Sequence, residues 1–433
     1  MQHPPAHVHP RASPLARSLA MLLLLAPVFW TAACTTPSPP RTLTAPASDP
    51  VAHYQTRLAG APKKDKTLWQ YRLAASAIRR GESGIAKAAL DDALARAAAN
   101  YGAPNPDAAK SRKLTGKESD KPFIGEPYER VMANFYRAIL YWADGEPDNA
   151  RALFRTAQLL DSDTDHKAYA GDYILLDYLD GLITARLAPH DSAAGAAALA
   201  LARARANAAA QIRPALPDYD PAANVFILVE YGDGPRKCFS GKDGARLAYF
   251  LPRQSCRFAR LRIDGRVIEM PPWDDIDFQA NTRGSRLMDE ILARKNSLKT
   301  PFKAAGNTLL RTGVAIASVP WWAGADDIKS GIVQYGLAAT VAAASAPFYG
   351  VAEVISRKSK ADIRCWHNLP RFVSFAALKL PPGCHMAELV YYDTPGGNVV
   401  LTQHLEITVP APAAQPSGAA VKDVVIFRSQ LRN

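Results

Sequence analysis

The sequence lacks the short motifs that mark common catalytic sites. It contains no GxSxG nucleophile elbow, no HExxH zinc motif, no phosphate-binding P-loop and no dinucleotide-binding glycine fingerprint. Histidine is scarce as well, and the histidines after residue 33 have no partner at metal-ligand spacing: His53, His166, His190, His367, His385 and His404. These absences predict a protein that is not an enzyme and uses no cofactor. The alternative is a hydrolase whose active-site residues are scattered along the chain.

Long apolar runs are also missing. Residues 18–30 are almost wholly apolar, but a membrane-spanning helix needs roughly 20 such residues. This run follows two arginines and ends in two alanines and Cys34, a pattern that predicts a signal peptide over residues 1–33. The cysteine after small residues resembles the bacterial lipobox, although Thr31 stands where leucine is commonest. We therefore expect palmitate-type acylation of Cys34, and Thr35 after it favours the periplasmic face of the outer membrane. The alternative is an ordinary secreted protein with an unrelated cysteine.

A second uncharged stretch, residues 330–352, is rich in alanine and glycine. Its length would suffice to span a bilayer, but these small side chains contribute little transfer energy. Gln334 and Pro347 also interrupt it. A close-packed helical hairpin is the preferred interpretation, and a membrane span or a membrane-touching hairpin is the alternative.

Acidic residues are outnumbered, 40 against 52 basic ones, for a formal charge of +12. Removal of residues 1–33 would take away only Arg11 and Arg17, so the remaining chain stays strongly basic. In an exported protein this charge favours anionic lipid headgroups or acidic envelope polymers over nucleic acid. A proteome rich in arginine would explain the same charge without any partner.

Cysteine is rare, and four cysteines are left once Cys34 is assigned to lipidation. In an oxidising compartment an even number favours disulfides, and zinc is disfavoured because no CxxC spacing is present. We predict the pairs Cys238–Cys256 and Cys365–Cys384, since each brackets a turn-rich segment. A thiol–imidazole pair at Cys365 and His367 is a weaker interpretation than a disulfide.

Residues 34–60 read as a tether, with five prolines between positions 35 and 50. Helical periodicity then dominates residues 61–215 and predicts six helices, at residues 68–80, 82–100, 128–144, 146–160, 168–187 and 192–212. Gly81 and Gly145 separate the members of the first two pairs, with alanines at matching distances from each glycine. Small residues at helix crossings and a glycine at the turn are typical of tetratricopeptide-like (TPR-like) hairpins. A generic antiparallel helical bundle is the alternative.

The pattern changes over residues 222–433 to short β-branched segments. Strands are predicted at residues 224–231, 246–251, 257–263, 266–269, 371–380, 385–392, 399–409 and 424–428. A mostly helical insertion, rich in glycine and alanine, is predicted at residues 278–360. The expected fold class is α+β: an N-terminal TPR-like α-hairpin stack, followed by a β-rich, sandwich-like domain that carries the helical insertion.

Three carboxylates lie close together at Asp274, Asp275 and Asp277. Hard oxygen ligands suit Ca²⁺, but the glycine and the distal glutamate of a calcium loop are absent. Asp274 or Asp275 would equally cap the helix that follows, so capping is the preferred interpretation and these residues are weak metal candidates.

Three segments within residues 125–383 resemble a family of uncharacterised bacterial lipoproteins with a TPR-like N-terminal half: GEPYERVMANFYRAILYWADGEPDNARALFRTA, DIDFQANTRGSRLMDEILARK and ADIRCWHNLPRFVSFAALKLPPG. The resemblance implies an envelope protein that works alongside other outer-membrane lipoproteins. It carries no site residues to this chain.

Together these features predict a lipid-anchored periplasmic adaptor that binds envelope proteins and has no small-molecule substrate. Stacked hairpins build concave surfaces for protein partners. The candidate contact residues are Tyr71, Tyr136 and Arg137, if they are exposed. The alternative is a module that binds peptidoglycan or lipopolysaccharide through aromatic residues of the β half, namely Tyr249, Phe250, Tyr391 and Tyr392.

Overall fold

The computed structural model describes residues 49–100, 117–162, 171–187, 191–241, 244–282, 292, 299–318, 343–358, 360–411 and 423–431. These residues belong to one compact unit. The predicted signal peptide, Cys34 and the first part of the predicted tether lie outside the described residues, as do positions 330–342 of the second uncharged stretch. Within these described ranges, none of the helices combines the length and the apolar character that a bilayer span requires.

Helices make up the first half of the described chain. They are α1 Pro50–Ala59, α2 Lys66–Arg79, α3 Ser83–Asn100, α4 Pro127–Asp144, α5 Pro147–Asp161, α6 Ile174–Leu187 and α7 Asp191–Ala210. The six helices predicted from periodicity are all present. Gly81 and Gly145 adopt positive φ angles of 75° and 88°, where glycine avoids the steric cost of a side chain. The chain can therefore reverse between α2 and α3 and again between α4 and α5.

The helix α1 corrects the predicted extent of the tether. The prolines predict an extended segment that includes residues 50–59, but these residues form a helix. The Asp49 side chain accepts hydrogen bonds from two backbone N–H groups of the first turn, and Pro50 stands where a missing N–H costs nothing. Val51 and Tyr54 are buried, so tertiary packing holds this helix in place.

Strands make up most of the second half. They are β1 Val225–Asp233, β2 Arg236–Ser240, β3 Arg246–Phe250, β4 Phe258–Ile263, β5 Arg266–Met270, β6 Asp274–Asp275, β7 Pro370–Leu378, β8 Gly383–Tyr392, β9 Val399–Val409 and β10 Val424–Ser429. All eight predicted strands are present, and β2 and the short β6 were missed. Helix α8 Ile276–Asn281 begins two residues before the predicted insertion, which contains α9 Lys299–Ser318 and α10 Ala346–Lys358.

These strands form two four-stranded sheets and one hairpin. The first sheet has the order β10-β1-β7-β6, the second has the order β5-β4-β8-β9, and β2 pairs with β3. Strand β1 runs parallel to β10 and antiparallel to β7. The mixed α+β class is therefore confirmed, with helices first and sheets second.

Strand β1 lies between two hydrophobic cores. Phe226 and Leu228 on one face belong to a core that they share with the helices. Ile227 and Val229 on the other face belong to a core that they share with the second sheet. Because successive side chains of a strand point to opposite faces, a strand buried on both sides reads as a continuous apolar run. The helical core therefore crosses the predicted boundary between residues 215 and 222.

In this shared core, aromatic rings of the helices contact aromatic rings of the first sheet. Trp142 of α4 lies 4.7 Å from Phe226 between ring centroids, and Tyr178 of α6 lies 5.9 Å from Phe375 of β7. Helices α2, α4 and α6 are buried over most of their residues. Their partners α3, α5 and α7 bury mainly stripes of alanine, the small residues that allow close helix packing.

Candidate functional site

The three predicted partner-binding residues are not available to a partner. Tyr71 is fully buried and stacks on Trp366, with ring centroids 4.5 Å apart. Tyr136 is 1% exposed and donates a hydrogen bond to Glu230. Arg137 is buried and donates to both carboxylate oxygens of Asp91, at 2.7 and 3.2 Å. The prediction of exposure was wrong, because the 362–369 segment packs on Tyr71, strand β1 contacts Tyr136, and helix α3 pairs with Arg137 through Asp91.

Buried charged groups join the helices to the strands. Glu129 of α4 accepts hydrogen bonds from Lys237 Nζ of β2 at 2.6 Å and from Trp366 N at 2.7 Å. Glu230 of β1 accepts from Arg79 Nε of α2 and from the Tyr136 hydroxyl, both at 2.5 Å. We call these two carboxylates and their partners the buried polar seam. Because its groups bind one another, the seam stabilises the contact between the helices and the strands.

The segment at residues 362–369, just before β7, makes further polar contacts with the helical half. Arg364 binds Asp362 and also Asp65, whose Oδ1 lies 2.7 Å from the guanidinium. The Asn368 side chain donates to the Arg72 carbonyl at 3.0 Å. His367 Nε2 lies 3.1 Å from the Tyr54 hydroxyl. Burial, and then nearby arginines, lower the pKa of His367 to about 3, so this imidazole stays neutral near pH 7.

The acidic cluster caps two helices. Asp274 accepts hydrogen bonds from Ile174 N at 2.7 Å and Leu175 N at 3.1 Å, at the start of α6. Asp275 caps α8, as the capping interpretation expected for this residue, and also binds Arg371 at 3.1 Å. In the part of the chain that the structure describes, no group of three or more histidine, cysteine or acidic side chains is arranged to hold a metal ion.

The predicted disulfides are absent: Cys238, Cys256, Cys365 and Cys384 are all free. The pairings were wrong because the turn-rich segments do not place these cysteines opposite each other. In the ladders Cys238 faces Ala248, and Cys384 faces Thr408. Cys256 lies instead in the core between the sheets.

The aromatic residues proposed for glycan binding are mostly internal. Tyr391 lies in the core between the two sheets, and Tyr249 packs against Tyr128 of the helical core. Tyr392 is 5% exposed, whereas Phe250 is 45% exposed. A sugar-stacking platform made from all four rings is therefore not present in this structure.

A polar cleft lies between α5, α6 and α7. Its volume is about 360 Å³, and its lining includes Gln158, Asp161, Tyr173, Asp177, Arg203 and Asn207. Sequence reasoning missed this cleft, because its side chains come from three helices that show no shared motif. Asp177 and Asp180 do lie on the otherwise apolar α6. Acidic residues within a buried helix are the one local signal that points here.

Asp177 is a perturbed carboxylate in the lining of the cleft. Its Oδ1 accepts hydrogen bonds from Arg203 Nε at 3.0 Å and from Gln158 Nε2 at 3.2 Å. Burial raises the pKa of Asp177 to about 6; Arg203 opposes this rise, while Asp180 and Asp161 add to it. The Arg203 side chain is 46% exposed, so solvent weakens its hold on the carboxylate. The neighbouring Asp180 is likewise paired with Arg155, whose side chain is 51% exposed, so both carboxylates have cationic partners that solvent reaches.

Comparison of the chain with protein-family models, curated proteins and solved structures finds no match. The resemblance to the lipoprotein family therefore stays a prediction.

Proposed function

We propose that the protein is a non-enzymatic, lipid-anchored adaptor at the periplasmic face of the outer membrane. In this proposal the helices are TPR-like hairpins, the two sheets form a sandwich, and Cys34 carries the lipid. The partner is an envelope protein that presents a basic segment, and its docking site is the acidic cleft between α5, α6 and α7.

The observation that supports this site is the raised pKa of a carboxylate in an open cleft. Asp177 is held by a half-exposed arginine, with Asp180 and Asp161 nearby. A lysine or arginine side chain from a partner would stabilise the charged form of Asp177, and each such charge-assisted hydrogen bond is worth about 1.5–3 kcal/mol. The concave side expected of TPR-like hairpins is less suitable, because the chain's own first sheet covers helices α2, α4 and α6.

The test is site-specific crosslinking in intact cells. A photo-reactive amino acid replaces Ala206, an exposed residue of α7 in the cleft lining, and the matched control replaces Ala95, an exposed residue of α3. We expect an envelope protein that crosslinks at position 206 and not at position 95, through a peptide rich in lysine or arginine. Equal capture at both positions, or capture through an uncharged peptide, contradicts the proposed site.

A charge variant tests the chemistry. Asp177→Asn keeps the shape of the side chain but removes its charge, so crosslinking at position 206 should fall about tenfold. Asp148→Asn is the control, since Asp148 lies on α5 with its side chain 73% exposed. Loss of crosslinking with both variants would indicate that overall acidity, rather than the cleft, attracts the partner.

A further inference from the structure

A group of basic side chains lies where α1, α2 and β2 meet. Arg57 is in the last turn of α1, Arg72 is on α2, and Arg236 begins β2. The guanidinium carbons of Arg72 and Arg57 lie 4.6 and 5.5 Å from the ring centroid of Trp69. With His53 of α1, these three arginines are called the basic cluster below.

None of the three arginines has a carboxylate within ion-pairing distance among the residues that the structure describes. Two other arginines with little exposure do have one: Arg79 binds Glu230, and Arg364 binds Asp65. Arg72 is only 7% exposed, yet within the described part of the chain its one hydrogen-bond acceptor is the Cys365 carbonyl, at 2.5 Å, and its Nε finds none there. A buried charge is costly without a counter-charge, so Arg72 is electrostatically incomplete.

Neighbouring groups respond to this uncompensated positive charge. Burial lowers the pKa of His367, and Arg72 and Arg236 lower it further. Tyr54 links the parts of the site: its ring lies 5.2 Å from His53 and 6.3 Å from Trp69 between centroids, and its hydroxyl contacts His367. The site is therefore positive, partly dry and built from several elements of the fold.

We propose that the basic cluster binds a phosphate-bearing anion. The planar fork of a guanidinium matches the oxygens of a phosphate, and a partly buried site strengthens the attraction. Trp69 restricts two of the guanidinium groups, which lowers the entropy lost on binding. The anion would supply the counter-charge that Arg72 lacks. Its source is either a phospholipid headgroup or a free phosphate.

The position of the cluster makes a headgroup a reasonable source. Helix α1 carries His53 and Arg57, and the chain leading back to Cys34 enters this helix at Asp49. If Cys34 is acylated as proposed, 14 residues, Thr35–Ser48, separate it from Asp49 at the start of α1. Such a segment reaches at most about 50 Å when extended. Phosphate binding itself does not depend on the lipid anchor.

The test is calorimetric titration of the purified full chain in a mild non-ionic detergent. The probes are inorganic phosphate and the water-soluble headgroup glycerophosphoglycerol, with zwitterionic glycerophosphocholine for comparison. Arg72→Gln should weaken binding about tenfold or more, since it removes the buried charge. Arg236→Gln, at a half-buried site, supplies the same comparison if the first variant does not fold. Arg205→Gln is the control, because Arg205 is 42% exposed and already paired with Asp218.

Each outcome decides a point. Tight binding of glycerophosphoglycerol with weak binding of phosphate supports the headgroup source, and the reverse order supports free phosphate. Binding of neither anion overturns the proposal. It is equally overturned if Arg236→Gln binds as the wild type does, or if Arg205→Gln loses as much affinity as the cluster variants. None of these results depends on the acidic cleft, so this site and the adaptor proposal fail or stand separately.

Discussion

Replacing Lys237 by methionine tests whether the buried polar seam holds the two halves of the fold together. The side chains of Lys237 and Glu129 are 1% and 0% exposed, and their charged atoms lie 2.6 Å apart. Methionine fills a similar volume but has no charge. Glu129 would keep its hydrogen bonds from Trp366 N and Glu126 N, both at 2.7 Å, and lose its counter-charge.

The expected cost is large because a buried charge would be left without its partner. Breaking such a pair from one side typically costs about 3–5 kcal/mol of unfolding free energy. Lys237 also donates to the Arg364 carbonyl at 3.0 Å, and this acceptor would lose its partner as well. Adding Glu129→Gln to Lys237→Met should recover part of the loss, with a coupling energy of about 1–3 kcal/mol in the double-mutant cycle.

The assay is urea unfolding of the full chain in mild detergent, followed by tryptophan fluorescence, since Trp366 packs against the seam. The control is the surface pair Arg260 and Glu269, at 2.8 Å with side chains 28% and 53% exposed. A double-mutant cycle on this exposed pair should give a much smaller coupling energy than the cycle on Lys237 and Glu129. A coupling energy for Lys237 and Glu129 no larger than that of the control pair, or separate unfolding of the helical and β halves, would refute the reasoning.

Other predictions concern single groups. Burial raises the pKa of Asp274 to about 7. Between about pH 4 and 7 this carboxyl group is therefore protonated in the folded protein but ionised in the unfolded chain. Stability should therefore fall as pH rises through this window, by at most about 4 kcal/mol, and Asp274→Asn should remove that slope in urea titrations at several pH values. A thiol-labelling reagent should modify the exposed Cys384 fast and the buried Cys256 only on unfolding. Equal labelling rates would contradict this difference in exposure. Gly145→Ala, at a φ of 88°, should lower the melting temperature, at a cost of about 1 kcal/mol. Gly84→Ala, in α3 with open space around it, should raise the melting temperature, and a drop there would be unexpected.

Local features of this fold follow well from the sequence. The apolar periodicity of α4 and the β-branched run of β1 are visible within single segments, and both elements form where they are predicted. The end of α4 at Gly145 was also predictable, because it requires only a local property, the positive φ angle that glycine adopts readily. Helix α1 was predictable too, since Asp49-Pro50 is a helix-start signal, but the surrounding prolines favoured a tether.

The contacts of the buried polar seam and of the Asp274 helix cap join distant parts of the chain. Glu129 and Lys237 are 108 positions apart, and Asp274 caps a helix that starts 100 positions earlier. A periodic pattern shows that one face of a helix is apolar, but not what covers that face. For this reason Tyr71 and Tyr136 were assigned to a partner, although the chain's own strands and the 362–369 segment cover them.

The class of the fold, the order of its elements and the turns between paired helices follow from local sequence, because they depend on residues close together in the chain. The core that the helices share with the first sheet, the separation of the cysteines and the perturbed charges of Asp177 and Arg72 arise instead from tertiary packing. Burial and the distance between charges depend on which segments pack together, and local sequence does not set that packing.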